Sequence, residues 1–230
     1  MANIKVLSTR PLEEDILEAA ISKGIDLEIK SFIKTELIEN IEVQQEIAHA
    51  FTLITSVVFT SMNAVEAVAL FILEEQPGWK IYCIGNTTKQ LVEKYFGKDA
   101  IAGFADNAAT LATLIVADEP LEVVFFCGNQ RRDELPNVLR SNGIEVDEIV
   151  VYETIEIPQK LKGSYNGILF FSPSAVKSFF GVNKINDSTV LFAIGSTTEN
   201  EIKKYTTNKI IIADEPGKEN LAEKMIEYFT

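Results

Sequence analysis

The stretch IGNTTKQL, residues 84–91, is written almost a second time as IGSTTENEI, residues 194–202. Each copy follows an apolar run and opens an amphipathic segment, which is the order strand, turn and helix. The glycine of each copy suits a tight turn after the strand, because glycine reaches positive φ at little cost. The repeated step predicts an α/β fold in which strands and helices alternate.

The threonines of the two copies fall where a helix N-cap belongs. A capping hydroxyl accepts a hydrogen bond from the first turn, and the remaining amides point outward at the positive end of the helix dipole. Such a turn suits a carboxylate or a phosphate. An ordinary capped helix explains one step equally well, whereas two steps at the carboxyl ends of parallel strands favour ligand binding. The candidate residues are Thr87, Thr88, Thr197 and Thr198.

Apolar strand-like runs alternate with helical patterns along most of the 230 residues, and one of these patterns predicts a helix over 61–75. Alternation of this kind predicts parallel sheets flanked by helices. A further internal match, between residues 24–36 and residues 143–155, indicates a duplicated unit. The duplication fits two tandem halves, 1–118 and 119–230. It fits equally a chain that starts in one domain, builds the second and returns to the first.

Composition narrows the class of protein. Hydrophobic residues make up 47% and charged residues 24% of the chain, which is typical of a globular protein. The formal net charge of −13 disfavours nucleic acid as a partner. Because the sequence contains neither a leader pattern nor an apolar run of about 18 residues, we expect a cytoplasmic protein without a membrane partner.

The sequence lacks the usual cofactor signatures. No dinucleotide fingerprint, phosphate-binding P-loop or zinc-protease motif is present. His49, Cys83 and Cys127 are too few for a Cys/His metal site, and both cysteines lie in apolar runs that predict buried thiols. If the chain is an enzyme, we expect it to work without a metal or another cofactor.

Other polar residues stand at predicted strand ends. Ser61, Ser172 and Ser174 place hydroxyls at helix starts, where simple capping explains each of them equally well. The segment CGNQRR, residues 127–132, offers Asn129 and Arg132, and an arginine can bind a carboxylate with two hydrogen bonds.

Tyr152 lies in the strand-like run VVYET, near the point where the chain would pass between domains. Most buried strand tyrosines belong to the core with a tethered hydroxyl. In a cleft, the same hydroxyl could donate a proton to a substrate.

In their order along the chain, several of these segments resemble the uroporphyrinogen-III synthase family. STRP, residues 8–11, is similar to the opening strand and turn of that family. The segments that carry the rest of the resemblance are FTSMNAVEAV (59–68), YCIGNTTKQLVEKYFG (82–97), FFCGNQRRDELPNVLRSNGIEVDEIVVYET (125–154), FFSPSAVKSFF (170–180) and AIGSTTENEI (193–202). Met62 and Asn63 depart from the family pattern, in which a proline-containing pair is common.

The resemblance implies two similar domains, each a parallel sheet flanked by helices, joined by a two-stranded β ladder. Residues 1–36 plus 155–230 would form the first domain, and residues 37–154 the inserted second one. It also implies a cofactor-independent, cyclising hydro-lyase of tetrapyrrole (haem) biosynthesis. Such an enzyme removes water from the linear tetrapyrrole hydroxymethylbilane, inverts ring D and closes uroporphyrinogen III.

The resemblance also assigns roles to residues. Tyr152 matches the tyrosine that is the family's candidate proton donor. The expected substrate-binding residues are Arg10, Ser61, Thr87, Thr88, Asn129, Arg132, Ser172, Ser174, Thr197 and Thr198. We expect a monomer that makes a transient contact with the preceding enzyme of the pathway.

A non-catalytic, two-domain cytosolic protein that binds an acidic small molecule is the alternative, because hinged domains and donor-lined clefts serve binding equally well. A regulatory homologue that has lost activity ranks lower, because Tyr152 and both threonine steps are intact. Turnover, as opposed to stoichiometric binding of the tetrapyrrole, distinguishes the enzyme from both.

Overall fold

The computed structural model describes residues 4–72, 76–214 and 217–230. Its first elements are β1 (Ile4–Ser8), α1 (Glu14–Ser22) and β2 (Ile25–Ile29). The middle elements are β3 (Ile33–Leu37), α2 (Ile41–Phe51), β4 (Ser56–Phe59), α3 (Met62–Ala69), β5 (Lys80–Ile84), α4 (Asn86–Phe96), a 3₁₀ turn (Lys98–Ala100), β6 (Ile101–Ala105), α5 (Ala108–Ala117), β7 (Glu122–Gly128), α6 (Glu134–Ser141) and β8 (Glu145–Glu156). The last elements are β9 (Gly167–Phe170), α7 (Pro173–Phe180), β10 (Val190–Ala193), α8 (Ser196–Ile202), β11 (Ile210–Ile212) and α9 (Lys218–Phe229).

The chain divides into two compact units. Unit 1 comprises Met1–Lys34 and Ile155–Thr230, and unit 2 comprises Thr35–Thr154. The chain therefore leaves unit 1 inside β3 and returns to it inside β8, and these two strands are neighbours in one sheet. The mixed α/β fold with parallel sheets is thus confirmed.

Each unit contains one sheet. In unit 1 the strand order is β11-β10-β9-β1-β2, and all neighbouring strands run parallel. The second sheet has the order β3-β8-β7-β4-β5-β6, and its strands from β8 to β6 are parallel. In both sheets the strand order reverses near the middle, and such switch points bind ligands at the carboxyl edge of α/β sheets.

Alternating side chains of the central strands of unit 2 pack on opposite faces of the sheet. Val57 and Phe59 of β4 face the cluster built with α2, α3 and α4, whereas Val58 faces the cluster built with α5 and α6. The corresponding clusters of unit 1 include residues from α1 and α9 on one face and from α7 and α8 on the other. Burial on both faces explains why these strands read as continuous apolar runs.

The helix predicted over 61–75 is shorter in the structure. It begins at Met62 and ends at Ala69, and residues 73–75 of the predicted segment lie outside the described residues. In the described part of the chain, no helix combines the length and apolarity that a membrane crossing needs.

Candidate active site

A cavity of about 410 Å³ lies within unit 2, beside the carboxyl ends of its parallel strands. The turn after β4, the end of β7 and the first turns of α5 and α6 contribute to its wall. The lining residues with polar side chains are Thr60, Ser61, Asp106, Asn107, Gln130, Arg131, Arg132, Glu134 and Tyr152. Three residues predicted from the sequence, namely Ser61, Arg132 and Tyr152, are thereby brought together.

The hydroxyl of Tyr152 donates a hydrogen bond to the Oγ atom of Ser61, over 3.0 Å. Ser61 is also the N-cap of α3, where the same Oγ atom accepts the N–H of Asn63 over 3.2 Å. The predicted capping by Ser61 is therefore confirmed. Ser61 Oγ therefore accepts two hydrogen bonds, and the hydroxyl can still donate one hydrogen bond of its own.

The ring of Tyr152 lies directly against the backbone of Gly128. Gly128 is paired with Tyr152 in the sheet, and a side chain at position 128 would place Cβ 2.4 Å from the Tyr152 Cζ atom. Real Cβ contacts do not become so short, so only glycine allows the phenol to occupy this place. The glycine of the CGN segment thus fixes where the tyrosine hydroxyl lies.

Asn129 holds the end of β7 to β8. Its backbone N–H donates to the Tyr152 carbonyl over 3.1 Å, and its side-chain Oδ1 accepts the Thr154 N–H over 2.9 Å. Asn129 does not line the cavity. Its contacts orient the strand that carries Tyr152.

The two neighbouring arginines differ in their partners. Arg131 pairs with Glu148, through Nε, and with Asp133, 2.5 Å from Nη1, while Arg140 contacts Glu148 from the other side at 2.7 Å. Burial opposes the charge of Arg131, yet hydrogen bonds to Glu148 and Asp133 raise the pKa of its guanidinium. The guanidinium of Arg131 is therefore already paired with carboxylates of the protein.

Arg132 is exposed and lines the same cavity. It makes no ion pair with any residue in 4–72, 76–214 or 217–230. A guanidinium in this state can offer all of its N–H groups to a carboxylate.

The two helices that follow the Gly-x-Thr-Thr segments are capped by other residues than predicted. The N-caps of α4 and α8 are Gly85 and Gly195, and in neither helix does a capping side chain accept a hydrogen bond from a first-turn N–H. The predicted capping by the threonines is therefore wrong. Each helix begins directly after its glycine, so that the Thr-Thr pair falls at the second and third helical positions. Thr88 and Thr198 are buried, whereas Thr87 and Thr197 are exposed.

Gly85 adopts φ 84°, which confirms the predicted left-handed turn, whereas Gly195 has an extended φ of −179°. Because glycine carries no capping side chain, the first-turn amides of both helices lack this intramolecular acceptor. The amides rather than the hydroxyls are thus the groups that an anion would meet at these turns.

The remaining predicted residues lie at the carboxyl edge of the unit 1 sheet. Ser172 follows β9 and caps α7, its Oγ accepting the Ala175 N–H over 3.2 Å. Ser174 is the second residue of that helix, and the exposed Arg10 follows β1. Their substrate-binding roles remain predictions.

Sequence reasoning missed several residues of the cavity. Asn107 caps α5 through Oδ1, which accepts the Thr110 N–H over 2.9 Å, and this cap was detectable because Asn107 directly precedes the apolar run AATLATLIVA. Gln130 and Glu134 follow β7 closely, but nothing in their spacing distinguishes them from solvent-facing residues.

Neither cysteine is available for nucleophilic chemistry. Cys83 and Cys127 are free and buried, and burial raises the pKa of each thiol to about 11. The predicted buried thiols are therefore confirmed. Within the described ranges, no cluster of three or more His, Cys, Asp or Glu residues is suited to a metal ion.

Two similar α/β units, with polar helix starts at the carboxyl edges of their sheets and a tyrosine hydroxyl in a cavity there, define the class: a two-unit α/β protein built to bind a small molecule. A family model described as uroporphyrinogen-III synthase HemD matches residues 15–223. The chain belongs to the uroporphyrinogen-III synthase family, which confirms the resemblance seen in the sequence.

Individual relatives agree with the family match. The chain is 25% identical to the uroporphyrinogen-III synthase of Saccharomyces cerevisiae over an alignment of 258 positions, gaps included, which spans 96% of this chain and 93% of the yeast protein. Two solved structures share its fold. A mutant uroporphyrinogen III synthase from the extremely thermophilic bacterium Thermus thermophilus has a TM-score of 0.68 at 14% identity and covers 98% of both chains. The uroporphyrinogen-III synthetase from Helicobacter pylori 26695 has a TM-score of 0.68 at 16% identity and covers 98% of this chain and 99% of that one.

Proposed function

We propose that this chain converts hydroxymethylbilane into uroporphyrinogen III and that Tyr152, in the cavity of unit 2, donates the proton for the loss of water. Membership of the uroporphyrinogen-III synthase family supports the reaction. The observation that carries the assignment of the site is the Tyr152 hydroxyl, which lies in the cavity wall 3.0 Å from Ser61 Oγ.

The reaction needs an acid, because hydroxide is a poor leaving group. Tyr152 would protonate the terminal hydroxyl of the substrate, which departs as water and leaves a cationic azafulvene together with the tyrosinate. The substituted carbon of ring D then attacks the azafulvene carbon and gives a spiro intermediate. The bond from that substituted carbon to its original bridging carbon breaks, and the bridging carbon, now itself an azafulvene, is attacked by the unsubstituted α-carbon of ring D. The proton that this α-carbon loses returns to the tyrosinate, so that two carbon–carbon bonds form, one breaks and ring D is inverted. The balance is one water released for each macrocycle closed, so that neither an oxidant nor a reductant is consumed.

Ser61 can support both stages of this proton transfer. In the structure Ser61 Oγ accepts a hydrogen bond from the Tyr152 hydroxyl, and by rotation the Ser61 O–H can instead donate to the phenol oxygen. A donated hydrogen bond stabilises the tyrosinate left after the transfer, because hydrogen bonds to charged groups are stronger than neutral ones. Ser61 would therefore lower the cost of ionising Tyr152 at the moment of reaction.

The size of the cavity limits what it can bind. A volume of about 410 Å³ lies at the lower end of the range of roughly 300–1,000 Å³ that is usual for small-molecule sites. We propose that it receives the hydroxymethyl-bearing end of the substrate and not the whole tetrapyrrole. The acid must be near this end, since the departing hydroxyl is there.

The charge of the cavity differs from that of the whole chain. Its wall contains Arg131 and Arg132 beside Asp106 and Glu134, so that its formal charge is balanced, whereas the chain carries −13. We propose that Arg132 binds a carboxylate of the substrate. Local guanidinium and amide donors can in this way attract an acidic substrate to an acidic protein.

We further propose that the remaining sequence-predicted residues bind carboxylates through hydroxyls, amides or charge. In unit 2 these residues are Thr87, Thr88 and Asn129. In unit 1 they are Arg10, Ser172, Ser174, Thr197 and Thr198. Their position at the carboxyl edges of the two sheets supports this proposal, because such edges bind ligands in open α/β sheets.

We also propose a domain organisation and an oligomeric state for the protein. The two units would act as domains, 1–36 with 155–230 and 37–154, in a cytoplasmic monomer. The enzyme that supplies the unstable linear substrate would make a transient contact with it. Analytical ultracentrifugation of the purified chain measures its molar mass in solution and so tests whether it is a monomer.

The assay supplies freshly generated hydroxymethylbilane and separates the uroporphyrin isomers after oxidation of the products. We expect isomer III in amounts that grow with enzyme concentration. Isomer I at the rate of the enzyme-free reaction, with no isomer III, would reject the proposed function. Saturable binding without turnover would instead support the binding protein considered above.

A further inference from the structure

We infer that Gly128 is a positioning residue for Tyr152: its missing side chain, next to an irregularity in β8, sets the phenol against Ser61. This inference rests on the proposed function, because it assigns Gly128 a role through Tyr152. It concerns a residue that contributes no side chain of its own to the cavity.

The pairing of β7 with β8 changes register at this point. Cys127 is paired with Val150, but Gly128 is paired with Tyr152, so that Val151 is an extra residue in β8. A bulge of this kind bends a strand and redirects the next side chain, and bulges are frequent next to active sites. The register change thus turns Tyr152 toward the end of β7.

The space over Gly128 is filled by the reactive end of the tyrosine. A Cβ atom at position 128 would lie 2.4 Å from Cζ, 2.5 Å from Cε2 and 2.7 Å from the hydroxyl oxygen of Tyr152. These atoms are the tip of a side chain that is only half buried, so an added methyl group can push the tip aside. Gly128→Ala should therefore move the hydroxyl away from Ser61 while the sheet persists.

The chain contains a matched control for the steric change. In the same sheet Gly103 is paired with Tyr82, again directly after a register shift, and a Cβ atom at position 103 would lie 2.7 Å from the Tyr82 Cδ1 atom. The Tyr82 hydroxyl bonds to Asp118 and lines a different cavity, at the amino ends of the strands. Gly103→Ala therefore forces a Cβ atom into the ring of a buried tyrosine that has no part in the proposed reaction.

The experiment measures kcat, KM and the thermal midpoint for Gly128→Ala, Gly103→Ala, Tyr152→Phe and the double variant Gly128→Ala/Tyr152→Phe. We expect Gly128→Ala to lower kcat about tenfold or more, since small misplacements of a reacting group are costly, with KM within about twofold. Gly103→Ala should lower the thermal midpoint at least as much, because the Tyr82 ring is fully buried, and keep kcat within about twofold of the wild type. In the Tyr152→Phe background, Gly128→Ala should change kcat less than about twofold, since the hydroxyl it displaces is already gone.

Two results overturn the inference while leaving the proposed function standing. One is a slow Tyr152→Phe enzyme together with a Gly128→Ala enzyme of wild-type kcat. The other is an equal loss from Gly128→Ala in both backgrounds. A Tyr152→Phe variant with full activity overturns this inference and the role of Tyr152 together, whereas a wild-type chain that forms no isomer III rejects the function itself.

If Gly128→Ala does not fold, Ser61→Gly addresses the other side of the contact. It removes the hydroxyl that bonds Tyr152, and glycine is tolerated at a helix N-cap. We expect a fall in kcat of about tenfold, absent from the Tyr152→Phe background. Asn40→Gly, which removes a comparable cap from α2, is the control for the lost cap. Equal losses of kcat from Ser61→Gly in both backgrounds overturn the inference.

Discussion

The phenol oxygen of Tyr152 lies 3.0 Å from the Oγ atom of Ser61, although the two residues are 91 positions apart in the chain. The contact joins strand β8 to the start of α3, and Gly128 on the intervening strand β7 makes room for it. The Tyr152 hydroxyl therefore lies in the wall of a cavity that Arg132 also lines. Arg132 makes no ion pair within the described part of the chain.

Replacement of Tyr152 by Phe removes the proton donor and preserves the ring. We expect kcat to fall by about 100-fold or more, the usual range for a positioned acid. The free energy of unfolding should fall by only about 1 kcal/mol, because one partly exposed hydrogen bond is lost. Isomer-resolved kinetics and denaturant unfolding measure the two effects.

Tyr82→Phe is the control for that substitution. The Tyr82 hydroxyl bonds to Asp118 outside the cavity, so this variant also loses one tyrosine hydrogen bond. It should keep the wild-type kcat. Equal activity of the two variants would remove the acid role from Tyr152.

The adjacent arginines should separate binding from stability. Arg132→Ala should raise KM about tenfold, through the loss of a charge-assisted hydrogen bond, and change the free energy of unfolding by less than about 0.5 kcal/mol. Arg131→Ala should destabilise the fold by about 1–2 kcal/mol, because Glu148 and Asp133 lose their shared partner.

Steady-state kinetics and urea unfolding of both variants check this division. If Arg132→Ala binds substrate normally, the guanidinium does not contact a carboxylate. If Arg131→Ala is as stable as the wild type, its ion pairs contribute nothing measurable.

The thiols should be inert in the folded protein. Burial raises the pKa of Cys83 and Cys127 to about 11, so that almost no thiolate is present at neutral pH. We expect a chromogenic disulfide reagent to label neither cysteine in the native state and both in urea, with activity unchanged during native incubation. Fast native labelling accompanied by inactivation is the contrary outcome.

Acid stability should depend on Glu28 in unit 1. A hydrogen bond from Tyr165 and then the contact with Lys5 lower the pKa of this carboxyl below its ordinary value of 4.5. A lowered folded-state pKa stabilises the protein above the ordinary value, and the gain is lost as the pH falls through the folded-state pKa. The difference in thermal midpoint between wild type and Glu28→Gln should thus be largest near neutral pH and shrink below about pH 4.5.

Thermal scans between about pH 3 and 7 provide the measurement. Glu18→Gln removes an exposed carboxyl from α1 and reports the general effect of losing one negative charge. A constant difference between wild type and Glu28→Gln across the whole range would contradict the assigned cause.

The alternation of strands and helices was predictable because parallel strands buried on both faces leave continuous apolar runs, as at residues 57–59 and 123–127. The start of α3 was also predictable, since Ser61 carries its own cap. The starts of α4 and α8 were not predicted correctly, because a glycine N-cap leaves no side-chain signal and the following threonines mimic one.

Only some features of the candidate site could be predicted from the sequence. Tyr152 and Ser61 were identified through family resemblance and capping, but their contact depends on a register shift at Val151 that no local pattern reveals. The distinction between Arg131 and Arg132 depends on Glu148, which is distant in the sequence and adjacent only once β7 pairs with β8. Long-range pairing and a bulge therefore supply what local propensity cannot.

The central claim is tested most directly by the isomer composition of the product formed from hydroxymethylbilane by the wild-type chain and by Tyr152→Phe. We expect the wild type to form isomer III rapidly and Tyr152→Phe to form it about 100-fold more slowly. Isomer III formed by Tyr152→Phe at the wild-type rate, or isomer I alone from the wild type, would contradict the account.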